Sequence, residues 1–152
     1  MMHARITLLF IASCVLSAGA TAQNNADAPA AVTCPAAADV SNARLFGQWQ
    51  AQVQAAHGSV PQPATLTLTQ NPEFDGSLSG TITRDTGRSQ VAGDVDNGVF
   101  TLEESSDGKT ITATWIGQIV EGSCGREIRG VRKNVLDHTE HDFILRKQAG
   151  WQ

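Results

Sequence analysis

From Leu45 onward the apolar residues recur at every second position, and that period decides what this chain can become. Phe46-Gly47-Gln48-Trp49-Gln50-Ala51-Gln52-Val53 alternates, and Leu66 and Leu68 stand between Thr65, Thr67 and Thr69. Leu78, Gly80 and Ile82 follow, then Val91, Gly93 and Val95, then Phe100 and Leu102. Ile111, Ala113, Trp115, Gly117 and Ile119 make the longest set, and Ile128, Phe143 and Leu145 complete the series. A strand projects successive side chains to opposite faces, so this pattern buries one face and leaves the other in water. Threonine, valine and isoleucine dominate these runs, as a half-buried pleated surface requires. No stretch beyond Leu45 holds a helical period, and the expected fold class is all-β.

Turn residues punctuate the runs at short intervals. Asn97-Gly98 is a two-residue hairpin signal, because both residues tolerate positive φ. Asp107-Gly108 reads as the same signal, Asp85-Thr86-Gly87 and Glu121–Gly125 mark further turns, and Asn71–Gly76 is a longer loop. About eight strands joined this way form an antiparallel up-and-down meander. A meander that long exposes two edges unless it closes, and a barrel removes both. Gly80, Gly93 and Gly117 each lie two residues before an inward apolar residue, and Gly130 falls inside a strand. Interior glycine weakens a strand unless the backbone bends sharply or approaches a neighbour closely, which small coiled barrels demand. A small closed barrel over residues 45–148 is therefore expected, with a β-sandwich as the alternative.

The chain begins with a secretory signal pattern over residues 1–22. Arg5 is followed by the apolar run Ile6–Leu16, and Ala20-Thr21-Ala22 supplies a small-x-small cleavage pattern. The run falls short of the ~20 apolar residues that a membrane-spanning helix needs. The reading is a periplasmic or secreted protein. Ile11-Ala12-Ser13-Cys14 also resembles the lipobox of bacterial lipoproteins, and lipidation would instead anchor the chain through Cys14. Without Cys14 the remaining cysteines are Cys34 and Cys124, which in an oxidising compartment pair with each other. That bridge spans 90 residues, a closure the chain-entropy model values at ~4 kcal/mol. Residues 23–44, rich in alanine, asparagine and proline, read as a flexible lead-in with a short helical turn after Pro35.

Loss of the signal leaves 10 basic against 15 acidic residues. A mildly acidic chain with no basic run lacks the positive footprint of a nucleic-acid binder, and the same balance disfavours an anionic membrane surface.

Gly47-Gln48-Trp49 at the first strand and Phe143-Ile144-Leu145-Arg146 at the last resemble the calycin pattern of lipocalins and avidins. There a Gly-x-Trp opens the barrel and a late basic residue packs over the tryptophan. Leu45–Trp49 is also similar to the strand opening of small periplasmic inhibitors of bacterial metalloproteases. The resemblance implies a cation–π plug between Trp49 and Arg146 and no catalytic residue. It covers the two ends of the domain and the meander between them. In the inhibitors an amino-terminal arm enters the protease cleft, a role open here to the segment before Leu45.

Candidate chemistry is sparse. Asp137-His138-Thr139-Glu140-His141-Asp142 carries metal-ligand residue types, but a strand sends His138 and His141 to opposite faces and only a turn would converge them. His57 stands alone beside Gly58. Gly122-Ser123-Cys124-Gly125 places Cys124 in a turn, yet a disulfide has no thiolate with which to attack. Glu103 and Glu104 are consecutive, so alternation parts them and they form no carboxylate pair. Arg126, Arg129, Arg132 and Lys133 make a basic stretch that would dock an acidic partner. Arg126 and Arg132 are also placed to cap a barrel end beside Trp49 or Trp115.

The functional expectation is an exported, non-catalytic binding protein whose partner is a protein, as for an inhibitor or immunity protein. The alternative is a carrier of a small apolar ligand, with Leu66, Leu68, Ile82, Val95, Trp115 and Ile119 lining the interior. Metal binding at His138 and His141 stands behind both, and no cofactor is expected.

Overall fold

The structure is a computed structural model that describes residues 33–54 and 60–150. The signal segment, Cys14 and His57 lie outside the described residues.

Eight strands, β1 (Gly47–Val53), β2 (Gln62–Gln70), β3 (Leu78–Arg84), β4 (Gly87–Asp96), β5 (Val99–Ser105), β6 (Ile111–Ile119), β7 (Glu127–Asn134) and β8 (Glu140–Lys147), form an antiparallel meander that closes into a barrel. Closure is made by β1 and β8, with Trp49 opposite Lys147 and Val53 opposite Phe143. The sandwich alternative is thereby set aside. Among the described residues every strand has a partner on both sides, so these strands leave no edge to template aggregation.

Close packing of the backbones explains two of the interior glycines. A Cβ on Gly80 would collide with the carbonyl oxygen of Thr67, and one on Gly130 with that of Ile116. Asn97 and Gly98 have φ of 47° and 79°, the paired positive values of the tight hairpin read from sequence. Asp107-Gly108 differs. Only Gly108 has positive φ, and the Asp107 carboxylate organises a longer loop by accepting hydrogen bonds from the amides of Lys109 and Thr110. An Asp side chain that satisfies neighbouring backbone donors stabilises a loop without a two-residue turn.

The inward face is apolar through most of the barrel. Trp49, Leu66, Leu68, Ile82, Phe100, Leu102, Trp115, Ile128, Phe143 and Leu145 are all buried and belong to one core. The six residues named above as a ligand lining belong to that core and pack against one another.

Ahead of β1 the chain carries the short helical turn expected after Pro35, and residues 23–32 of the lead-in lie outside the described residues. A 3-10 turn (Ala37–Asp39) and a short helix α1 (Asn42–Leu45) lie across the end of the barrel where β1 begins. Val40 and Leu45 are buried in the core, and the Trp49 indole donates to the Leu45 carbonyl at 2.8 Å. Asn42 ties this plug to the wall by accepting from the Val95 amide at 2.8 Å and donating to the Gly76 carbonyl. The expected disulfide joins Cys34 to Cys124, in the loop between β6 and β7. Val40 and Leu45 hold this segment in place by burying apolar surface at the barrel mouth.

Candidate functional site

Strand parity determines what occupies the opposite end of the barrel. On β3 the inward residues are Leu78, Gly80, Ile82 and then Arg84; on β5 they are Phe100, Leu102 and then Glu104. β7 turns Ile128, Gly130 and then Arg132 inward, and β8 brings His141 in ahead of Phe143 and Leu145. The apolar stack ends on a layer of charged and polar side chains above Trp115 and Phe143, whose rings meet edge-on with centroids 4.9 Å apart.

Glu104 is the hub, with only 3 % of its side chain exposed. Arg84 donates to both its oxygens, Nη1 to Oε1 at 2.7 Å and Nη2 to Oε2 at 3.0 Å. Oε2 also accepts from Arg132 Nε at 3.1 Å and from the Trp115 indole N–H at 3.1 Å. The two guanidinium carbons lie 6.0 Å (Arg84) and 5.6 Å (Arg132) from the centroid of the Trp115 ring, within cation–π range. Burial alone would raise the Glu104 carboxyl; hydrogen bonds and charge from Arg84, then Arg132, outweigh it and hold the group at about 2 against an ordinary 4.5. Such a carboxylate stays ionised, and its affinity for protons is too low for acid–base work near neutral pH.

Above this cluster opens a bowl of about 600 Å³. Arg84, Arg88 and Arg132 line it with Glu104, the one carboxylate on its wall among the described residues. Ser89, Thr112 and Asn134 add neutral polar groups, and His141 presents a ring whose Nδ1 is buried without a hydrogen-bond partner among the described residues. Leu136, 85 % exposed, stands at the rim.

The structure redistributes the residues singled out from sequence. Arg126, Arg129, Arg132 and Lys133 form no single patch. Arg126 is exposed in the β6–β7 loop at the plugged end, and Arg132 points into the barrel at the open one. Arg129 and Lys133 lie on the outer face and pair with Glu127 and Glu140. Parity on β7 explains the split, because Ile128 and Gly130 fix Arg132 as an inward residue. Its place beside Trp115 is the capping position foreseen for it.

The plug partner of Trp49 is also different. Lys147, not Arg146, lies over the Trp49 ring, 5.9 Å from its centroid. The inward set on β8 ends at Lys147, whose ammonium donates to the Arg44 carbonyl at 2.5 Å. Burial and the nearby charges of Arg126 and Arg44 lower its pKa. Arg146 faces outward and donates to Glu127 at 3.2 Å. His138 sits in the exposed β7–β8 turn with φ of 58° while His141 faces the bowl. Among the described residues no group of three or more His, Cys, Asp or Glu could hold a metal ion.

Sequence reasoning passed over Arg84 and treated Glu104 only as half of a rejected pair. The available signal was phase: each lies two residues beyond an inward leucine or isoleucine. No protein-family model matches this chain, and no curated protein matches it either.

Proposed function

We propose that this chain is an exported, non-catalytic binding protein that engages a protein partner through the open end of its barrel, in the manner of an inhibitor or immunity protein. The observation that carries the reading is the contrast between a filled interior and a polar, open mouth. A carrier of apolar ligands needs an unfilled apolar cavity, whereas the core side chains here meet across the barrel. The outward-facing opportunity is the bowl with its loop rim, where Leu136 is exposed by 85 %. Loops held by a rigid scaffold are the usual carriers of recognition. Export is supported by the signal pattern and by a disulfide, which is compatible with an oxidising compartment. The eight-stranded barrel with its Gly47-Gln48-Trp49 entry accords with a calycin-like ancestry, and the binding role accords with it too.

Native mass spectrometry of the protein isolated gently from its host's envelope tests this reading. A stoichiometric protein mass, lost on Leu136→Asp and retained on the outer-face change Lys133→Ala, is the expected result. A bare chain, or one carrying only a small apolar mass, would sink it.

A further inference from the structure

The open-end bowl carries more recognition chemistry than the fold requires. Glu104 is fully engaged by Arg84, Arg132 and Trp115, yet Arg132 spends only its Nε on that carboxylate. Its Nη1 and Nη2 have no acceptor among the described residues, which leaves the end-on edge of the guanidinium free. The Arg132 side chain is 15 % exposed, and it lines the bowl. The His141 Nδ1 is buried without a partner on the same wall. Buried polar atoms are normally satisfied, so an orphan beside a free guanidinium edge points to a missing group.

Charge and shape define that group. The guanidinium groups of Arg84 and Arg132 face one carboxylate in the bowl among the described residues, an excess of positive charge in a partly desolvated space, while Arg88 turns its own to Thr81 Oγ1 on the outer face. A guanidinium edge matches the two oxygens of a planar carboxylate and receives them bidentately. Glu104, close behind Arg132 and ionised at neutral pH, disfavours a dianion more strongly than a monoanion. A cavity of about 600 Å³ lies in the range that encloses a small molecule or a chain end.

We propose that the bowl is a carboxylate-recognition site, in which the free edge of Arg132 grips the two oxygens and His141 flanks them. The proposal deepens the binding reading above, because it names the chemistry the open end selects. The carboxylate has two possible bearers, a small organic acid or the acidic end of a partner chain, and the recognition is the same for both.

The test is a titration of the ¹⁵N-labelled mature protein, followed at the arginine Nε–H resonances. The probes are butyrate, a hexapeptide with a free C-terminal carboxylate, its C-terminally amidated twin, and inorganic phosphate. Saturable movement of the Arg84 resonance, beside Arg132 on Glu104 and retained in every variant, is expected with butyrate, if the bearer is a small acid. If it is a chain end, the peptide moves it and the amidated twin binds about tenfold more weakly. Arg132→Gln should weaken either by about tenfold or more while leaving the Arg84–Glu104 pair intact, with Arg132→Lys intermediate. His141→Phe, which removes the orphan ring nitrogen outside the ion cluster, should weaken it about threefold and guards against misfolding of the first variant. The proposal fails if no carboxylate gives a saturable shift, if phosphate binds more tightly than both carboxylates, or if Arg132→Gln binds as well as the native protein. A protein partner captured equally by native and Arg132→Gln forms would refute the carboxylate site and leave the partner reading standing.

Discussion

The two ends of the barrel solve the same problem in opposite ways. Each must terminate a stack of apolar side chains where the strands run out. At the plugged end the chain folds its own lead-in over the mouth: Val40 and Leu45 extend the core, Trp49 donates to the Leu45 carbonyl, and Cys34–Cys124 fastens the cover. At the open end no segment covers the stack among the described residues. Trp115 is instead capped by Arg84 and Arg132, held on Glu104. Trp49 ends under hydrocarbon, backbone and the single cation of Lys147, Trp115 under an ion cluster of two arginines and a glutamate. An apolar cover gains free energy by burial alone. A charged cover is stable only while every charge keeps its counterpart, and that requirement makes it specific.

This contrast is open to direct attack. The largest effect should come from the cover. Removing the disulfide with Cys34→Ala and Cys124→Ala should cost about 4 kcal/mol in urea-induced unfolding. A loss below about 1 kcal/mol would mean that Val40 and Leu45 hold the plug without the bridge. Next is the ion cluster, where Glu104→Gln leaves two guanidinium groups facing each other in a buried layer. A loss of about 3 kcal/mol is expected by chemical denaturation, with the near-ultraviolet signal of Trp115 perturbed.

The same cluster sets an acid limit. The folded-state value for Glu104 is depressed to about 2 from 4.5, so its stabilisation is fully present above pH 4.5 and is lost as the pH falls toward 2. Thermal melts across that window should show a decline that Glu104→Gln removes. An unchanged slope in the variant would assign acid sensitivity elsewhere.

Lys147→Met probes the plugged end with a smaller expected effect. The substitution keeps the stem that covers Trp49 and discards a partly desolvated charge. Stability should therefore move by less than about 1 kcal/mol, against a clear loss for the corresponding Arg84→Met at the open end. Equal losses would erase the distinction between the two caps. The smallest effect belongs to the outer face, where Lys133→Ala breaks only an exposed pair with Glu140 and should shift the midpoint by less than about 0.5 kcal/mol.

Much of this architecture could be read from residue order. Alternation from Leu45 announced the strands, Asn97-Gly98 announced a hairpin whose φ values follow suit, and Cys34 found Cys124. The candidate site was less legible. Arg84, Glu104, Arg132 and His141 are scattered over four strands, and only their shared inward phase marks them. A basic stretch read along β7 mixes outward Arg129 and Lys133 with inward Arg132. The Trp49 partner was misplaced by one residue, and in a strand one residue exchanges the two faces.

By itself, the sequence determined the class of object: a period of two, short turns and well-placed glycines admit little besides a small antiparallel barrel. These are local properties, written in spacings that the pleat and the turn impose on any chain. Tertiary structure alone decided that the lead-in becomes a cover and that a glutamate and two arginines meet above Trp115. Those contacts join residues 20 to 28 positions apart, and their geometry exists only once the barrel closes. Which end the described residues of the chain seal is a property of that closure.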